Sequence, residues 1–414
     1  MGRGNSYALK YDKPFLQFEE IEAARKRLEG ISAKTELVYS PVFSKEYGNE
    51  IYIKPENLQT TGAYKIRGAY NKISKLSNRQ KSKGLIASSA GNHAQGVAYS
   101  AQKLGIEATI VMPKTTPLIK VEATKKYGAK VVLAGDSYDE AYNEAQRLQK
   151  KFGYTFVHPF NDLDIMAGQG SIGIEILEEL ENVDIILAPI GGGGLISGIA
   201  VAAKSINPSI KVIGVEPEGA NAMKLSVESN TLVSLDRVET IADGVAVKKP
   251  GDLTFSIIKN YVDEIVTVSD FELMDALLVF LERHKLVAEP AGVLSLAGLK
   301  RVKEKNKKIA CVVSGGNIDV VTMSSLINRG LVSRGRILCF SVELPDTPGQ
   351  LLKVSELLAD LGANVIKLDH NQFKSLDRFM NVELEVTVET NGHDHINEII
   401  TLLEKHGYRI RKVY

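Results

Sequence analysis

Thr61-Gly62-Ala63-Tyr64-Lys65-Ile66-Arg67-Gly68-Ala69 is the stretch of sequence that decides the fold and the chemistry of this chain. Lys65 stands among small and apolar residues, where a predicted strand at residues 51–54 has given way to a helix-like run at residues 66–76. A lysine in an apolar, desolvated pocket has a lowered pKa and becomes a usable amine nucleophile for a Schiff base. We therefore predict that Lys65 carries a covalently bound cofactor.

The length and composition predict a globular protein of two or three domains. The chain has 414 residues, of which 44% are hydrophobic and 24% are charged. A net charge of +1 argues against a nucleic acid or a membrane surface as a partner, because neither is attracted to a neutral surface. No apolar run approaches the roughly 20 residues that a membrane helix needs.

The compartment is predicted from the cysteines and the first residues. Cys311 and Cys339 lie in apolar runs, so we expect buried thiols in a reducing compartment and no disulfide. The first six residues lack the apolar core of a signal peptide. Together these features predict a cytoplasmic protein.

Strands and helices alternate along most of the chain, which predicts parallel sheets with helices on their faces. Ser137 with Glu140 forms a capping box that opens one of these helices. The other predicted helices cover residues 17–29, 93–104, 118–127, 170–180, 195–205, 270–284 and 290–302, and the predicted strands cover 85–88, 108–112, 130–133, 184–190, 211–215 and 309–313. We predict an α/β catalytic domain over residues 1–332, with a smaller open-sheet subdomain at about residues 60–155 and a larger one formed by the rest.

The pattern changes near residue 333. Residues 333–336 are predicted to be a linker. The remainder predicts a strand (337–344), a helix (349–361), two strands (364–369 and 380–390), a helix (395–406) and a strand (408–413). This βαββαβ order predicts a ferredoxin-like domain over residues 337–414.

Four consecutive glycines, Gly191, Gly192, Gly193 and Gly194, lie between a predicted buried strand and the start of a helix. Backbone N–H groups at a helix N-terminus favour negative charge, and glycines leave them open to a ligand. A tight turn alone would need only one or two glycines, so the run favours a phosphate site. No Gly-x-Gly-x-x-Gly pattern fits this turn, and the P-loop lysine is absent, so a dinucleotide or nucleoside triphosphate is not predicted.

A second turn, Ser89-Ala90-Gly91-Asn92-His93, also leads into a helix. Its backbone amides could bind a carboxylate, and Asn92 could donate to a ring hydroxyl group. His93 is predicted to be a structural residue of the first helical turn. His393 and His395 are two positions apart and do not share a helix face, so no metal site is predicted there.

Six motifs occur in order over about residues 15–330. They are Glu-Asn-Leu-Gln-x-Thr-Gly-x-Tyr-Lys-x-Arg-Gly-Ala, Ser-x-Gly-Asn-His-x-Gln-Gly, Ala-Gly-Gln-Gly-x-Ile, the four-glycine turn, Ile-Ala-Asp-Gly-Val and Ser-Gly-Gly-Asn. Jointly they resemble the threonine dehydratase (threonine ammonia-lyase) and serine racemase branch of the fold-type II pyridoxal-phosphate enzymes. The C-terminal Leu-Pro-Asp-x-Pro-Gly-x-Leu, followed by Gly-Ala-Asn-Val, resembles an ACT regulatory domain.

The resemblance implies a role for each matching position. Lys65 would form the Schiff base with pyridoxal 5'-phosphate and would be the catalytic base. The remaining cofactor contacts would be Asn92 at the ring hydroxyl, Gly191, Gly192, Gly193, Gly194 and Leu195 at the phosphate, Ser314 at the pyridine nitrogen and the backbone of Gly244. Ser89, Gly91, Asn92 and His93 would bind the substrate carboxylate. Ala63 departs from the family, which usually has serine at this position.

The implied reaction is β-elimination of L-threonine to 2-oxobutanoate and ammonia, and of L-serine to pyruvate. Serine racemase is the alternative, but its second proton donor is a serine at the position of Ala90. Racemases also bind a divalent cation, and Ala222 stands where a second carboxylate beside Glu216 would be expected, so no divalent metal site is predicted, and a monovalent ion or no ion near Glu216 stays open. A non-catalytic amino-acid sensor is a third alternative, against which the intact Lys65 and Ser314 argue.

In ACT domains the turn that contains Asp346, together with Asn364, binds a small amino acid between paired domains. The resemblance therefore implies an amino-acid effector, with isoleucine first and valine second, and a homo-oligomer, either a dimer or a tetramer. Asp346 and the following proline are also an ordinary way to start a helix. The preferred substrate, the sign of the regulation and the metabolic role, in isoleucine biosynthesis or threonine catabolism, stay open.

Overall fold

The computed structural model describes residues 16–371 and 381–414, so Met1 to Ser6 and Met380, the first residue of one predicted strand, lie outside the described residues. The chain forms two compact units that divide after Asp319. The division therefore comes before residues 333–336, where the linker was predicted. A helix, Val320–Ser333, occupies the residues between the two positions.

The first unit contains a six-stranded and a four-stranded sheet. Its strands are β1 (Val38–Tyr39), β2 (Glu50–Pro55), β3 (Leu85–Ser88), β4 (Ala108–Met112), β5 (Lys130–Leu133), β6 (Thr155–Phe156), β7 (Ile185–Pro189), β8 (Lys211–Pro217), β9 (Glu264–Val268) and β10 (Lys308–Val313). The larger sheet has the order β1-β2-β10-β7-β8-β9 and the smaller one β5-β4-β3-β6. All neighbours are parallel except β1 and β2, which confirms the predicted α/β fold.

Helices cover both sheets. They are α1 (Phe18–Leu28), α2 (Pro41–Tyr47), α3 (Lys65–Ser74), α4 (Asn78–Ser82), α5 (Asn92–Leu104), α6 (Leu118–Lys125), α7 (Tyr138–Phe152), α8 (Leu163–Glu179), α9 (Gly194–Ile206), α10 (Ala222–Ser229), α11 (Asp252–Tyr261), α12 (Asp270–Val279) and α13 (Leu294–Gly298). The predicted capping box is present at the start of α7, where Ser137 accepts from the backbone N–H of Glu140.

Three of the predicted helices differ from the observed α-helices by more than two residues at one end or at both. The helix predicted at residues 170–180 begins at Leu163, because the Asp162 side chain accepts from the N–H groups of Asp164 and Ile165 and caps it there. The helix predicted at 270–284 changes to π-helical geometry over Phe280–His284. The helix predicted at 290–302 is an α-helix only over Leu294–Gly298, with a 3-10 turn on either side.

One apolar core of the first unit lies between the larger sheet and its helices, and a second one packs around the smaller sheet. Every residue of β7 is buried, as predicted for a strand covered on both faces. Ile186 belongs to the same apolar cluster as Ile196 and Ile199 of α9. Cys311, on the adjacent strand β10, is a buried free thiol, as is Cys339 in the second unit. Among the described helices, none combines the length and the apolar character that a membrane crossing requires.

The second unit has ferredoxin-like topology. After α14 (Val320–Ser333) it contains β11 (Ile337–Pro345), α15 (Gln350–Asp360), β12 (Asn364–Asn371), β13 (Asn381–Glu389), α16 (His393–Lys405) and β14 (Ile410–Lys412). The antiparallel sheet has the order β12-β13-β11-β14, so the first and third strands lie at its centre. The βαββαβ prediction is thereby confirmed for the described residues.

A buried ion network fixes the start of α3. The fully buried Arg67 guanidinium donates to both oxygens of Glu56 at 2.8 Å and to both oxygens of Glu175 on α8. Lys54 of β2, also fully buried, pairs with Glu175 at 2.8 Å. Although burial alone would raise it, these two cations hold the pKa of Glu175 below its ordinary value. The network joins β2, α3 and α8, and Lys65 lies two residues from its centre.

We expect Arg67→Met to lower the free energy of unfolding of the cofactor-free protein by about 3–5 kcal/mol, because it leaves the buried Glu56 without its cation and Glu175 with Lys54 alone. Urea unfolding followed by circular dichroism measures the loss. Arg147→Met is the matched control. Arg147 lies on the surface of α7 and donates two hydrogen bonds to the carboxylate of Glu144. The control should leave the free energy of unfolding nearly unchanged, because an exposed ion pair contributes little to stability, and equal losses would contradict the importance of the network.

Candidate active site

A cavity of about 930 Å³ lies at the carboxyl ends of the parallel strands of both sheets. Turns that follow different strands meet there, as expected for a ligand site in open parallel sheets. The cavity is lined by Lys65, by Ser89, Gly91, Asn92 and His93 after β3, by Gly191, Gly192, Gly193, Gly194 and Leu195 after β7, by Gly244, and by Ser314 after β10. The structure therefore brings together every predicted site residue of the first unit.

Lys65 is the first residue of α3, and its amine reaches the cavity. The Nζ atom donates to the backbone oxygen of Pro159 at 2.9 Å and lies 5.2 Å from the centre of the Tyr64 ring. Burial lowers the pKa of Lys65 to about 8, although the charge of Glu289 acts against this shift. A substantial fraction of the amine is therefore neutral near physiological pH, as a nucleophile or base requires.

The Lys65 segment is bonded through its backbone to the Ser314 turn. Tyr64 N–H donates to the Ser314 carbonyl at 3.1 Å, and Gly316 N–H donates to the Gly62 carbonyl at 2.9 Å. Ala63 and Gly315 form an antiparallel bridge between these two contacts. Residues that are 250 positions apart in the sequence are thus held side by side, and the departure at Ala63 leaves this backbone pairing intact.

The four-glycine turn has the properties of an anion site. Within the described chain, no acceptor pairs with the backbone N–H groups of residues 191–195, which lie at the N-terminus of the 13-residue helix α9. Gly193 has φ +95°, a conformation that favours glycine. A Cβ on Gly192 would lie 2.2 Å from the Phe160 ring, so packing also demands glycine there. Thr254 fixes the turn by donating to the Gly192 carbonyl at 2.6 Å.

The turn after β3 contributes its backbone and the neutral ring of His93 to the site. Its backbone enters α5 at Asn92, and the Ser89 hydroxyl accepts from the Gly91 N–H at 3.2 Å. The His93 ring bonds to the Val157 carbonyl at 2.9 Å, which agrees with the predicted structural role. Burial, followed by the charge of Lys65, lowers the pKa of His93 to about 3, so this ring is neutral and is not a proton shuttle near pH 7.

Two cavity residues, Glu289 and Asn317, were not among the predicted site residues. Glu289 lines the cavity and accepts from Asn92 Nδ2 at 2.5 Å, and Asn317 donates from its Nδ2 to Asn92 Oδ1 at 2.7 Å. Asn317 is the last residue of the Ser-Gly-Gly-Asn motif, so the sequence already indicated that it lies near the site. Glu289 had a weaker signal, because a glutamate before Pro290 is also common at a structural turn.

Ion pairs cross the mouth of the cavity. Lys120 on α6 pairs with Asp243 at 2.8 Å, and Lys248 lies 3.8 Å from Asp139 on α7. Each pair joins a helix of the smaller sheet to the 243–249 segment, which includes Gly244. The ideal Cβ position of Gly244 lies 3.0 Å from the Ala291 methyl group, so the backbone approaches closely there.

Glu216, the residue considered above as a possible cation ligand, binds backbone N–H groups instead. Glu216 is buried and accepts from the N–H groups of Met223 and Lys224 at the start of α10. Within residues 16–371 and 381–414, no group of three or more His, Cys, Asp or Glu side chains is arranged to hold a metal ion.

The second unit has a cavity of about 310 Å³, which is lined by Asp346, His370 and the 347–351 segment. Asn364 is not among its lining residues, and its side chain donates to Glu389 at 2.8 Å. Within one chain the structure therefore does not bring Asp346 and Asn364 into the same cavity.

Comparison with known families decides the identity of the first unit. The sequence model of the family described as "Pyridoxal-phosphate dependent enzyme" matches residues 28–315. The chain belongs to this pyridoxal-phosphate dependent enzyme family.

Members of the family with curated names resemble this chain over most of its length. L-threonine ammonia-lyase of Thermotoga maritima is 48% identical over 399 residues, which cover 96% of this chain and all of the relative. The catabolic L-threonine dehydratase of Escherichia coli K12 is 44% identical over 322 residues, which cover 77% of this chain and 98% of the relative. About a quarter of this chain therefore lies outside the alignment with the second relative.

Solved structures of the family have the same fold. Maize serine racemase superposes with a TM-score of 0.73 at 35% identity and covers 77% of this chain and 99% of its own. Processed threonine deaminase isoform 2 of Solanum lycopersicum has a TM-score of 0.73 at 36% identity and covers 76% of this chain and 95% of its own.

The residues present fit the cofactor of the family. The unpaired N–H groups of residues 191–195 would donate hydrogen bonds to a phosphate dianion, and the glycines place no side chains at that position. The Lys65 amine, with its lowered pKa, opens into the same cavity. The Ser314 hydroxyl donates across 3.4 Å to the Ala291 carbonyl, its one hydrogen bond within residues 16–371 and 381–414, and it lines the same cavity, where it could meet a ring nitrogen.

Proposed function

We propose that this chain is a pyridoxal-phosphate dependent L-threonine ammonia-lyase, which converts L-threonine into 2-oxobutanoate and ammonia and L-serine into pyruvate and ammonia. The observation that carries the proposal is a lysine amine of lowered pKa in the same cavity as a run of unpaired backbone N–H groups. The likeness of nearly the whole chain to an L-threonine ammonia-lyase selects the reaction.

The cofactor would be held at four positions. Gly191, Gly192, Gly193, Gly194 and Leu195 would bind its phosphate, Asn92 its ring hydroxyl, Ser314 its pyridine nitrogen and Lys65 its aldehyde carbon, with the Gly244 backbone against it. When bound, pyridoxal phosphate supplies an electron sink that makes the α-hydrogen of an amino acid acidic.

The protein's own groups orient the substrate and move its α-proton. The backbone of Ser89, Gly91, Asn92 and His93, at the N-terminus of α5, binds the substrate carboxylate. Lys65 Nζ then takes the α-proton, because its lowered pKa leaves it neutral in part. The neutral His93 supports the turn and transfers no proton.

Serine racemisation is the alternative reaction, and a solved serine racemase shares the fold. Racemisation requires a second proton donor on the side of the substrate opposite Lys65. Ala90, at the position where the racemases have a serine, lines the cavity and carries no donor. Elimination is therefore the reaction that these residues favour.

We expect purified protein loaded with pyridoxal phosphate to release 2-oxobutanoate from L-threonine, and Lys65→Ala to lower kcat by at least about a thousandfold, because the α-proton base is lost. A coupled assay with a 2-oxo-acid reductase measures both, and L-serine is run in parallel to establish the preferred substrate.

Lys72→Ala is the matched control, because Lys72 lies on the same helix but pairs with Asp162 and Asp164 outside the cavity. Its kcat should stay within about a factor of two of the wild type. An active Lys65→Ala variant would exclude the assigned site, and formation of D-serine in place of pyruvate would favour the racemase.

We further propose that residues 337–414 form an ACT regulatory domain that binds an amino acid, isoleucine first and valine second, in a cytoplasmic homo-oligomer. The ferredoxin-like strand order and the cavity beside Asp346 support this proposal. Asn364 would contribute only across a pair of such domains. The Escherichia coli relative aligns with 77% of this chain, and the catalytic family match ends at residue 315, so we do not expect catalysis to require this domain.

We expect isoleucine to shift the L-threonine concentration at half-maximal rate by about fivefold or more in the full chain, because an effector must bind two states differently. A chain ending at Ser333, which keeps α14 whole, should lose this response and keep its basal turnover. Asp346→Ala should also lose it, whereas Asp360→Ala, an exposed residue outside the cavity, should not. An equal response from the shortened chain would restrict the domain to assembly.

A further inference from the structure

The Asn92 amide is fixed in one orientation by a chain of hydrogen bonds. Asn317 Nδ2 donates to the Thr61 backbone carbonyl at 2.8 Å, and a carbonyl oxygen can only accept. This contact identifies the nitrogen end of the Asn317 amide. The same nitrogen donates to Asn92 at 2.7 Å, so the Asn92 atom that receives it must be the oxygen. Asn92 Nδ2 is therefore the atom that faces Glu289, 2.5 Å away.

The geometry leaves one hydrogen of Asn92 for a ligand. The amide nitrogen carries two hydrogens, and the bond to Glu289 uses one of them. Asn92 lines the cavity, as does Glu289. If the amide were rotated by half a turn, its oxygen would face the Glu289 carboxyl and its nitrogen would face the Asn317 nitrogen. Both existing hydrogen bonds would be lost.

We propose that Glu289 is a positioning residue that, together with Asn317, holds the Asn92 amide so that a donor N–H, and never the carbonyl oxygen, meets the ring oxygen of the bound cofactor. This inference rests on the proposed role of Asn92 at the ring hydroxyl. An N–H donor favours the deprotonated form of that ring oxygen, which only accepts. Glu289 would thereby influence the electronic state of the cofactor without touching it.

The charge state of Glu289 is open to titration. Its side chain is 5% exposed, and none of the ion pairs found among the described residues includes it. The charged and titratable groups around it are Lys65 and Tyr64 at the start of α3, Lys120 on α6, and Asp243, which also lines the cavity. Burial, then Asp243, raises the pKa of Glu289 to about 7, against the Asn92 hydrogen bond and the two lysines.

Titration of Glu289 changes the support for Asn92. Above its pKa the ionised carboxylate only accepts and forms a charge-assisted hydrogen bond with Asn92 Nδ2. Below its pKa the carboxyl is neutral and this bond weakens. The absorption spectrum of the bound cofactor should therefore change near neutral pH, and this change is caused by the titration of Glu289 and not of the cofactor itself.

The test compares variants of the full-length holoenzyme by two measurements. Equilibrium dialysis gives the Kd of pyridoxal phosphate, and the visible spectrum is recorded from pH 5.5 to pH 9. We expect Glu289→Ala to raise the Kd by about ten- to a hundredfold, as for loss of a hydrogen bond to a charged group. Glu289→Gln keeps an acceptor for Asn92, so it should bind within about threefold of the wild type but lose the step near neutral pH.

Two further variants test the chain of hydrogen bonds. Asn317→Ala removes the second support, so it should weaken binding by itself and weaken it more than additively with Glu289→Ala. Glu216→Gln is the control, because Glu216 is an equally buried carboxylate that caps α10 and does not line the cavity. It should leave the Kd and the spectrum unchanged even if it destabilises the protein.

The outcomes separate this inference from the proposed function. If Glu289→Gln keeps the titration step, or if folded Glu289→Ala binds the cofactor with the wild-type Kd and spectrum, the positioning role is overturned. If Asn92→Ala leaves both measurements unchanged, the assignment of the ring contact itself fails. If Glu289→Ala does not fold, as judged by circular dichroism, the spectrum of Glu289→Gln alone decides.

Discussion

The backbone pairing between the Lys65 segment and the Ser314 turn decides where the chemistry takes place. It sets the amine of Lys65 beside the end of β10, while the Arg67 network anchors the same helix to β2 and α8. The ends of β3 and β7 line the same cavity as Lys65 and Ser314. The lowered pKa of Lys65 follows from this enclosure, because desolvation disfavours the ammonium form.

Local signals predicted much of the fold. Alternating strands and helices revealed the parallel sheets, and the capping box of α7 was correct to the residue. Sequence periodicity could not show that β2 and β10 are neighbours, because that pairing joins distant parts of the chain. The early start of α8 was missed although Asp162 is an ordinary N-cap residue. The strand β9 and the helices α10 and α11 were not predicted at all.

The candidate site was predicted in its parts but not in its connections. Lys65, the four-glycine run and the turn at residues 89–93 each have a recognisable local pattern. The residue types in these patterns indicated what each of them could do. The contacts among Asn92, Asn317 and Glu289 depend on three separate segments and have no local signature. The pKa of Glu289 likewise depends on burial, which only the assembled cavity provides.

The most direct measurement is to reduce the holoenzyme with borohydride, digest it and locate the attached pyridoxal phosphate by mass spectrometry. A site built around Lys65 predicts the label on the peptide that contains Lys65, with none on Lys120 or Lys248, which are ion-paired lysines that also line the cavity. It also predicts that L-threonine added before the borohydride lowers the labelling. Labelling at another lysine, or no label on a protein that turns over L-threonine, would contradict the assignment of Lys65.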